Sequence, residues 1–368
     1  MTDWRDRLTV PRAGFIPSVI WDDDPITGGF RPVFKEREPE RWHGMVAADE
    51  PVTTQVDDGT ESVGNVGFLP TSSCSKPSVV ADMLDALDVR TGHRVLEIGT
   101  GTGWNAALLI GRASRSGRVV SVDVDPRVTE GARGALATEG YFPLLVTADG
   151  VEGYPAEAPY DRVVATASVR SIPPTWLDQT QAGGLIVAPW GTDYGEDALT
   201  RLRVQEDGSA SGHFGMRLAF MRVRGQRRNF LDPTDRELLG AERSATARSG
   251  RELFEMLDFE HAAFTIGLRV PHCYPTVVDI DEKHRHVELH DVHSKSWARL
   301  TLVRDEHPWI VHQLGPRRLW DEVEAAYTWW SDTGRPGPGQ YELTVTRDGT
   351  HTVRVDAAGG VLSWNIRV

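Results

Sequence analysis

Val95-Leu-Glu-Ile-Gly99-Thr-Gly101-Thr-Gly103-Trp104 sets an aliphatic run directly before three alternating glycines and a helix-forming segment. Arg94–Ile98 reads as a strand, the glycines as a turn, and about Trp104–Arg112 as a helix. Glycine is needed in such a turn because a side chain would block the close approach of a ligand. The spacing is GxGxG and not GxGxxG, so the pyrophosphate fingerprint of dinucleotide enzymes is incomplete. Glu97 lies just before the loop, where a carboxylate is unfavourable beside phosphates but suits an ammonium group.

Outward from this loop the acids recur. Val119–Val124 reads as the next strand, and Asp123 near its end is placed to accept hydrogen bonds from both hydroxyls of a ribose. Asp149 follows the strand-like Leu144–Thr147 and offers an acceptor to an adenine amino group, with Gly150 permitting close approach to the ring. Doubly wound sheets bind ligands at their strand ends, and a turn using glycine for packing alone does not explain acids at successive ends. Glu97, Gly99, Thr100, Gly101 and Gly103, with Asp123, Val124, Asp149 and Gly150, are therefore the candidate site for S-adenosylmethionine (SAM).

From about Thr91 to Val223 short β-branched runs alternate with helical segments, the signature of a parallel sheet flanked by helices. Further strands are expected at Arg162–Ala165, Gly184–Ala188 and Arg217–Val223. A break follows at about Gly225–Pro233. Beyond it a helix is expected at Ser249–Leu257, with strand-like runs at Phe264–Val270, Thr276–Ile280, Val287–Leu289 and Ala298–Val303. Leu319, Trp320, Val323, Ala326, Tyr327 and Trp330 recur at helical spacing. Tyr341–Arg347 and His351–Val355 flank Asp348-Gly349, a hairpin signal. The expected architecture is α/β: residues 1–224 form a class I methyltransferase, Rossmann-like doubly wound sheet with an N-terminal segment of its own. Residues 225–368 form a second, α+β domain. Six of the twelve tryptophans lie in the latter, enough large apolar surface for a core. Trp329-Trp330 reads as part of that core.

The chain has 368 residues and a formal net charge of −13, which opposes binding to phosphate backbones. The basic runs Arg222–Arg228 and Arg317-Arg318 read as short solvated surfaces, so no nucleic-acid partner is expected. No stretch approaches the ~18 apolar residues of a membrane span. MTDWRDRLTV lacks the features of a signal peptide. Cys74 and Cys273 give no disulfide framework, and a reducing cytoplasm fits that usage.

Other segments carry a family resemblance. Val10-Pro-Arg-Ala-Gly-Phe-Ile-Pro17, Ser73-Cys-Ser75-Lys-Pro77 with Val79-Val80-Ala81, Asp149-Gly150, Ala158-Pro-Tyr-Asp161, Thr166-Ala167, Ile172-Pro173 and Gly183-Gly184 occur in a consistent order. Over roughly residues 7–224 the chain resembles the protein-L-isoaspartate O-methyltransferase family. By that resemblance Ser75 takes the place of the family's active-site hydroxyl, with Ser73 beside it. Its neighbours Thr71, Ser72, Ser73 and Ser78 make a hydroxyl-rich turn able to hold a substrate carboxylate at a helix N-terminus, with Thr71, Ser72 and Lys76 as candidate substrate contacts. The plainer reading makes Ser75 a cap for the helix near Pro77. Lys76 stands where the family usually has a neutral residue: it either attracts an acidic peptide or is an exposed lysine without a role.

Residues 225–368 lie beyond the usual family end. The chain resembles C-terminally extended actinobacterial homologues that methylate an aspartate in ribosomally made modified peptides (graspetides, lanthipeptides, lasso peptides), the ester collapsing to aspartimide or isoaspartate. That resemblance implies a peptide substrate recognised by the extension. Isoaspartate repair is the alternative. A third reading, an inactive fold turned peptide-binding module, sits poorly with Glu97, Asp123, Asp149 and Ser75 all being present. His284, His286 and His290 in HRHVELHDVH share one face of an expected strand, near His293, His272 and Cys273. The spacing lacks a second cysteine, so a solvated or peptide-contacting face is expected and no metal site.

Overall fold

In the computed structural model, which describes residues 3–60, 66–229, 232–304, 307–357 and 360–367, the loop Gly99–Gly103 follows the third strand from one edge of a ten-stranded sheet. Arg94–Ile98 pairs in parallel with Arg118–Asp123 on one side and Tyr160–Ala165 on the other. Leu144–Thr147 closes the near edge, and Thr180–Trp190 continues the far side, also in parallel. Helices Pro77–Leu87, Trp104–Ala113 and Pro126–Thr138 bury their apolar stripes against this sheet. Val95, Leu96, Val120, Val163 and Ile186 are fully buried, as expected of parallel strands covered on both faces.

Beyond Thr180–Trp190 the sheet turns antiparallel through Asp197–Val204 and Ala210–Leu218. The expected strand Arg217–Val223 is thus displaced: the strand ends at Leu218, and Arg222 beyond it makes an isolated bridge with Ser168 and an ion pair with Asp197.

The expected second domain is divided. Tyr341–Val345 pairs with Ala210–Leu218, and His351–Ala357 and Gly360–Ile366 follow, so the chain's end extends the first sheet and not a separate one. Tyr341, Leu343, Val345, Val353 and Val355 share one core with Ala198, Leu202 and Phe214. The physical reason is edge pairing: Ala210–Leu218 would otherwise present a row of unpaired N–H and C=O groups. Only the middle of the extension forms its own unit, a five-stranded antiparallel sheet ordered Glu242–Thr246, Trp309–Leu314, Trp297–Val303, His284–Asp291, Cys273–Asp279. Helix Leu319–Asp332 covers one of its faces with Trp320, Val323, Tyr327 and Trp330. Phe264–Val270, expected as a strand, is helical over Phe264–Arg269.

The N-terminal segment forms a four-stranded sheet, Gly29–Phe34, Val19–Asp24, Val52–Val56, Pro70–Cys74 in spatial order. Buried Arg12 gathers the carbonyls of Met45, Val46, Ala48, Glu50 and Ser75, which ties this sheet to the turn ahead of helix Pro77–Leu87. No helix among the described residues is long and apolar enough to cross a membrane.

Candidate functional site

One cavity of about 880 Å³ opens at the carboxyl ends of the parallel strands, within the ~300–1,000 Å³ usual for small-molecule sites. It brings together Gly99, Thr100 and Gly101 of the glycine loop, Asp123 and Val124, Asp149 and Gly150, and the whole turn Thr71–Lys76. The two parts meet closely: a Cβ built on Gly101 (φ 52°) would lie 3.4 Å from the carbonyl oxygen of Ser73. The loop therefore passes directly under the hydroxyl-rich turn.

Asp123 accepts hydrogen bonds from the N–H groups of Gly101 and Asp125, each at 3.0 Å, so its carboxylate fixes the loop's shape. Burial pushes its carboxyl above the usual range, opposed by those two N–H donors. Asp149 accepts from the Val151 N–H and faces the cavity above Gly150. A side chain at Gly150 would strike Ile98 Cγ2, so glycine there serves the packing beneath the site.

Two expected cofactor residues do not line the cavity. Glu97 is fully buried under the loop, where Asn105 Nδ2 (2.7 Å) and Ser121 Oγ (2.5 Å) donate to its two oxygens. Burial raises its carboxyl to about 7. Asn105, which does line the cavity, connects Glu97 to the wall. Gly103 (φ 85°) is the N-cap of helix Trp104–Ala113, and a side chain there would press on Leu136. Its positive φ and its packing on Leu136 both call for glycine.

Across the cavity, Thr71 donates to Gln55 Oε1 and accepts from the Asp58 N–H, while buried Ser72 accepts from Thr54. Among the described residues no side chain takes the hydroxyls of Ser73 or Ser75, which are half-buried on the cavity wall. The capping reading of Ser75 fails: helix Pro77–Leu87 has Lys76 at its N-cap position without a side-chain cap, and Asp49 Oδ1 accepts from the Ser78 N–H instead. Lys76 is neither idle nor free, since its ammonium lies 3.5 Å from Glu50 and 4.0 Å from Asp49.

The basic run Arg222–Arg228 is not solvated surface. Arg222, Arg224 and Arg227 line the cavity. Arg224 bridges Asp58 (3.0 Å) and Asp125 (2.9 Å), and Arg227 pairs with Asp58. Burial pushes the Asp125 carboxyl up, yet Arg224, Gln55 and the N–H groups of Arg127 and Val128 outweigh it and hold it at about 2. Asp125 was missed in the sequence, although Asp-Pro at the start of helix Pro126–Thr138 is a signal that could have found it. Its partner at position 224, far along the chain, gave no such signal. Arg317 is likewise engaged, with Asp291 and Glu322, and Arg318 pairs with Glu242 and Asp321.

The histidines do not converge. His284 pairs with Asp281, His272 meets His293 edge to face with ring centres 4.1 Å apart, and His290 lies near Asp232 and Glu288. That last trio has metal-like spacing, but Arg299 already takes Glu288 at 2.7 Å. Cys74 and Cys273 are both buried and unbridged.

Residues 54–228 match the family model described as protein-L-isoaspartate(D-aspartate) O-methyltransferase. The protein-L-isoaspartate O-methyltransferase of Staphylothermus marinus is 35% identical over 168 residues, which span 44% of this chain and 73% of that one. The chain belongs to the protein-L-isoaspartate O-methyltransferase family. The like-named protein of Methanopyrus kandleri is 40% identical over 136 residues, 36% of this chain and 60% of its own length. That of Methanoculleus marisnigri is 47% identical over 118 residues, 32% of this chain and 52% of its own. The chain thus spans between half and about three fifths of the length of these last two relatives. A solved structure named protein-L-isoaspartate O-methyltransferase shares the fold over 96% of this chain and 94% of its own, with TM-score 0.52 and 18% identity. The family match takes in the cavity lining from Pro70 to Arg227, while Trp21, Phe30, Met45, Glu50 and Thr53 on its other wall precede the match.

Proposed function

We propose that this chain is a SAM-dependent carboxyl O-methyltransferase acting on an aspartyl-derived side-chain carboxylate, with isoaspartate as the leading acceptor. The observation that carries this reading is the single cavity joining an acid-flanked glycine loop to a turn with two untaken hydroxyls. The donor set fits SAM. Asp123 and Asp149 offer acceptors at adjacent strand ends for ribose and adenine, the glycine loop gives close backbone approach, and Asn105 backed by Glu97 presents a polar wall near an ammonium.

SAM supplies an electrophilic methyl group. A substrate carboxylate with an ordinary pKa near ~4 is already an anion at neutral pH, so the chain needs no general base to prepare it. What its residues provide is alignment and exclusion of water. The Ser73 and Ser75 hydroxyls donate to one carboxylate oxygen and leave the other to react. Arg12, by drawing the Ser75 carbonyl into its fan of acceptors, holds the turn in place. In succinimide closure the next backbone nitrogen attacks the ester carbonyl and loses its proton, and the C–O bond breaks to release methanol.

The relatives' names favour isoaspartate over an aspartate in a dedicated modified peptide, which the sequence alone had put first. The C-terminal extension does not separate these readings, because the fold shared over 96% of the chain is that of a protein named for isoaspartate. The test is to incubate the chain with SAM and a short isoaspartyl peptide, in parallel with its aspartyl isomer, and follow the ester by mass. Turnover of the isoaspartyl form alone supports the proposal. Failure with both peptides, in a chain shown by calorimetry to bind SAM, rules out isoaspartate as a general acceptor.

A further inference from the structure

Met221, Arg222, Val223, Arg224 and Arg227 form one wall of the cavity. Three buried acids hold this segment. Asp125 takes Arg224 at 2.9 Å, Asp197 takes Arg222 at 3.1 Å and Asp193 takes Arg228 at 3.2 Å. Arg170 pairs with the other oxygen of Asp193 at 2.5 Å. Arg227, next to that last anchor, pairs with Asp58, whose side chain is 40% exposed. Water and salt weaken an ion pair so placed. The Arg227 end of the wall therefore depends on how firmly Arg228 is held.

The extension supplies that hold. Asp193 and Asp197 bracket one turn, and Tyr194 between them is buried in the core of the five-stranded unit with Leu253, Ile266 and Val323. A side chain on Gly267 would strike Thr192 of the same turn. The extension also reaches Arg228 directly, with His272 Nδ1 lying 2.7 Å from Arg228 Nη1. A guanidinium only donates, so Nδ1 accepts and the imidazole is neutral. His272 keeps this place at φ 61°, a left-handed conformation that histidine adopts at a cost. Its ring meets that of His293 edge to face. His272 itself does not line the cavity. Packing alone leaves unexplained why a strained residue aims one acceptor at the last anchor of the wall.

We infer that His272 of the extension is a positioning residue for the methyl transfer: by accepting from Arg228 it fixes the Arg227 end of the cavity wall. Its part in the reaction rests on the proposed carboxyl methylation; the restraint of the wall does not. Arg227 acts on the acceptor side, since its partner Asp58 donates its N–H to Thr71 of the hydroxyl-rich turn. Arg224 keeps its hold on Asp125 without His272, and Asp123 and Asp149 lie on other elements, so cofactor binding is spared. Losing His272 thus misaligns the acceptor more than it loosens SAM.

The test compares the full chain with His272→Gly and His272→Asn. Both variants tolerate the left-handed backbone and both lose the ring against His293, so a packing role makes them equal. Only asparagine keeps an acceptor, its Oδ1, where Nδ1 stood. With an isoaspartyl peptide, His272→Gly is expected to lower kcat at least about tenfold while the Kd for SAM from calorimetry stays unchanged. His272→Asn restores most of kcat. In the ligand-free chains, hydrogen exchange at the Val223, Gln226 and Arg227 amides, hydrogen-bonded in the native wall, is expected to quicken about tenfold in His272→Gly alone. Native kcat or native exchange in His272→Gly overturns the inference. So does a His272→Asn chain no better than it, or a Kd for SAM that rises as far as kcat falls. Should the native chain bind SAM and methylate no peptide, the carboxyl-methylation reading fails alone, and the exchange rates still decide whether His272 fixes the wall.

Discussion

Asp123 and Glu97, one strand apart, do different work because one reaches the cavity and the other does not. Asp123 lines the cavity while holding the Gly101 and Asp125 N–H groups. Asp123→Asn presents a donor where acceptors are required, and is expected to cost about 1.5–3 kcal/mol of SAM binding, or roughly 10- to 150-fold in Kd. Calorimetry on a variant with unchanged circular dichroism checks this, and an unaltered Kd removes Asp123 from the site. Glu97 makes its prediction through pH. Its carboxyl lies at about 7 in the folded chain because burial penalises the charge, whereas in the unfolded chain it titrates near ~4.3. Between those values the folded state holds the proton more tightly, so this group's contribution to stability falls as pH rises through the window and levels off above it. Glu97→Gln removes the contribution. Relative to the native chain, the ligand-free variant is expected to gain stability between pH 5 and pH 8, by at most about 3 kcal/mol. Melting curves at the two pH values that shift in parallel for both chains would refute it.

At the scale of elements, the parallel strands around Arg94–Ile98 were legible because each is a near-continuous aliphatic run between turn residues, buried on both faces. Phe264–Arg269 was not. Its residues Phe264, Thr265, Ile266, Gly267 and Leu268 are all buried, so the helix carries no polar face and no period to betray it. Pro70–Cys74 was hidden for the opposite reason: Pro-Thr-Ser-Ser-Cys is too polar to read as a strand, yet it pairs with Val52–Val56 and carries the turn to the cavity. The site's chemistry was readable where it depends on residue type at short spacing, as in the glycine loop and the Ser73–Pro77 turn. It was unreadable where it depends on tertiary meeting, as with Arg224 and Asp58 or Asp49 and Ser78. Asp49 yields the prediction of this scale. Its Oδ1 accepts from the Ser78 N–H at 2.9 Å and caps helix Pro77–Leu87 from outside. Asp49→Ala is expected to cost about 1 kcal/mol of stability, the usual value of a lost cap. It also frees the Ser75 turn, so kcat should fall more than the SAM affinity does. Equal losses in both would place the damage elsewhere.

The whole molecule is stitched by its own end. The last three strands lie beside Ala210–Leu218, and between them and the family's core stands His351, 1% exposed. Its Nδ1 lies 2.9 Å from the Gly349 carbonyl, so that nitrogen carries the proton, and Nε2 accepts from the Ile172 N–H at 2.9 Å. The imidazole is neutral in this arrangement, and burial lowers its pKa below the usual 6.5. The sign follows from the proton count: below about 6.5 the unfolded chain takes up a proton that the folded chain resists, so stability falls as pH drops through that region. His351→Ala leaves the Ile172 N–H buried without its acceptor and opens a gap, for an expected loss of about 2–4 kcal/mol at pH 7.5. The loss relative to the native chain should shrink toward pH 5, where the native seam is itself weakened. Truncation after residue 340 is the stronger form of the same argument. It removes Tyr341, Leu343, Val345, Val353 and Val355 from a core shared with Ala198, Leu202 and Phe214, each worth roughly 1.5–3 kcal/mol of burial. It also leaves Ala210–Leu218 as an open edge. The family-matched part, residues 54–228, is therefore expected not to stand alone in this chain: the truncated protein should aggregate and fail to bind SAM. A monodisperse truncated protein with native SAM affinity would show that the strands after residue 340 only decorate the sheet.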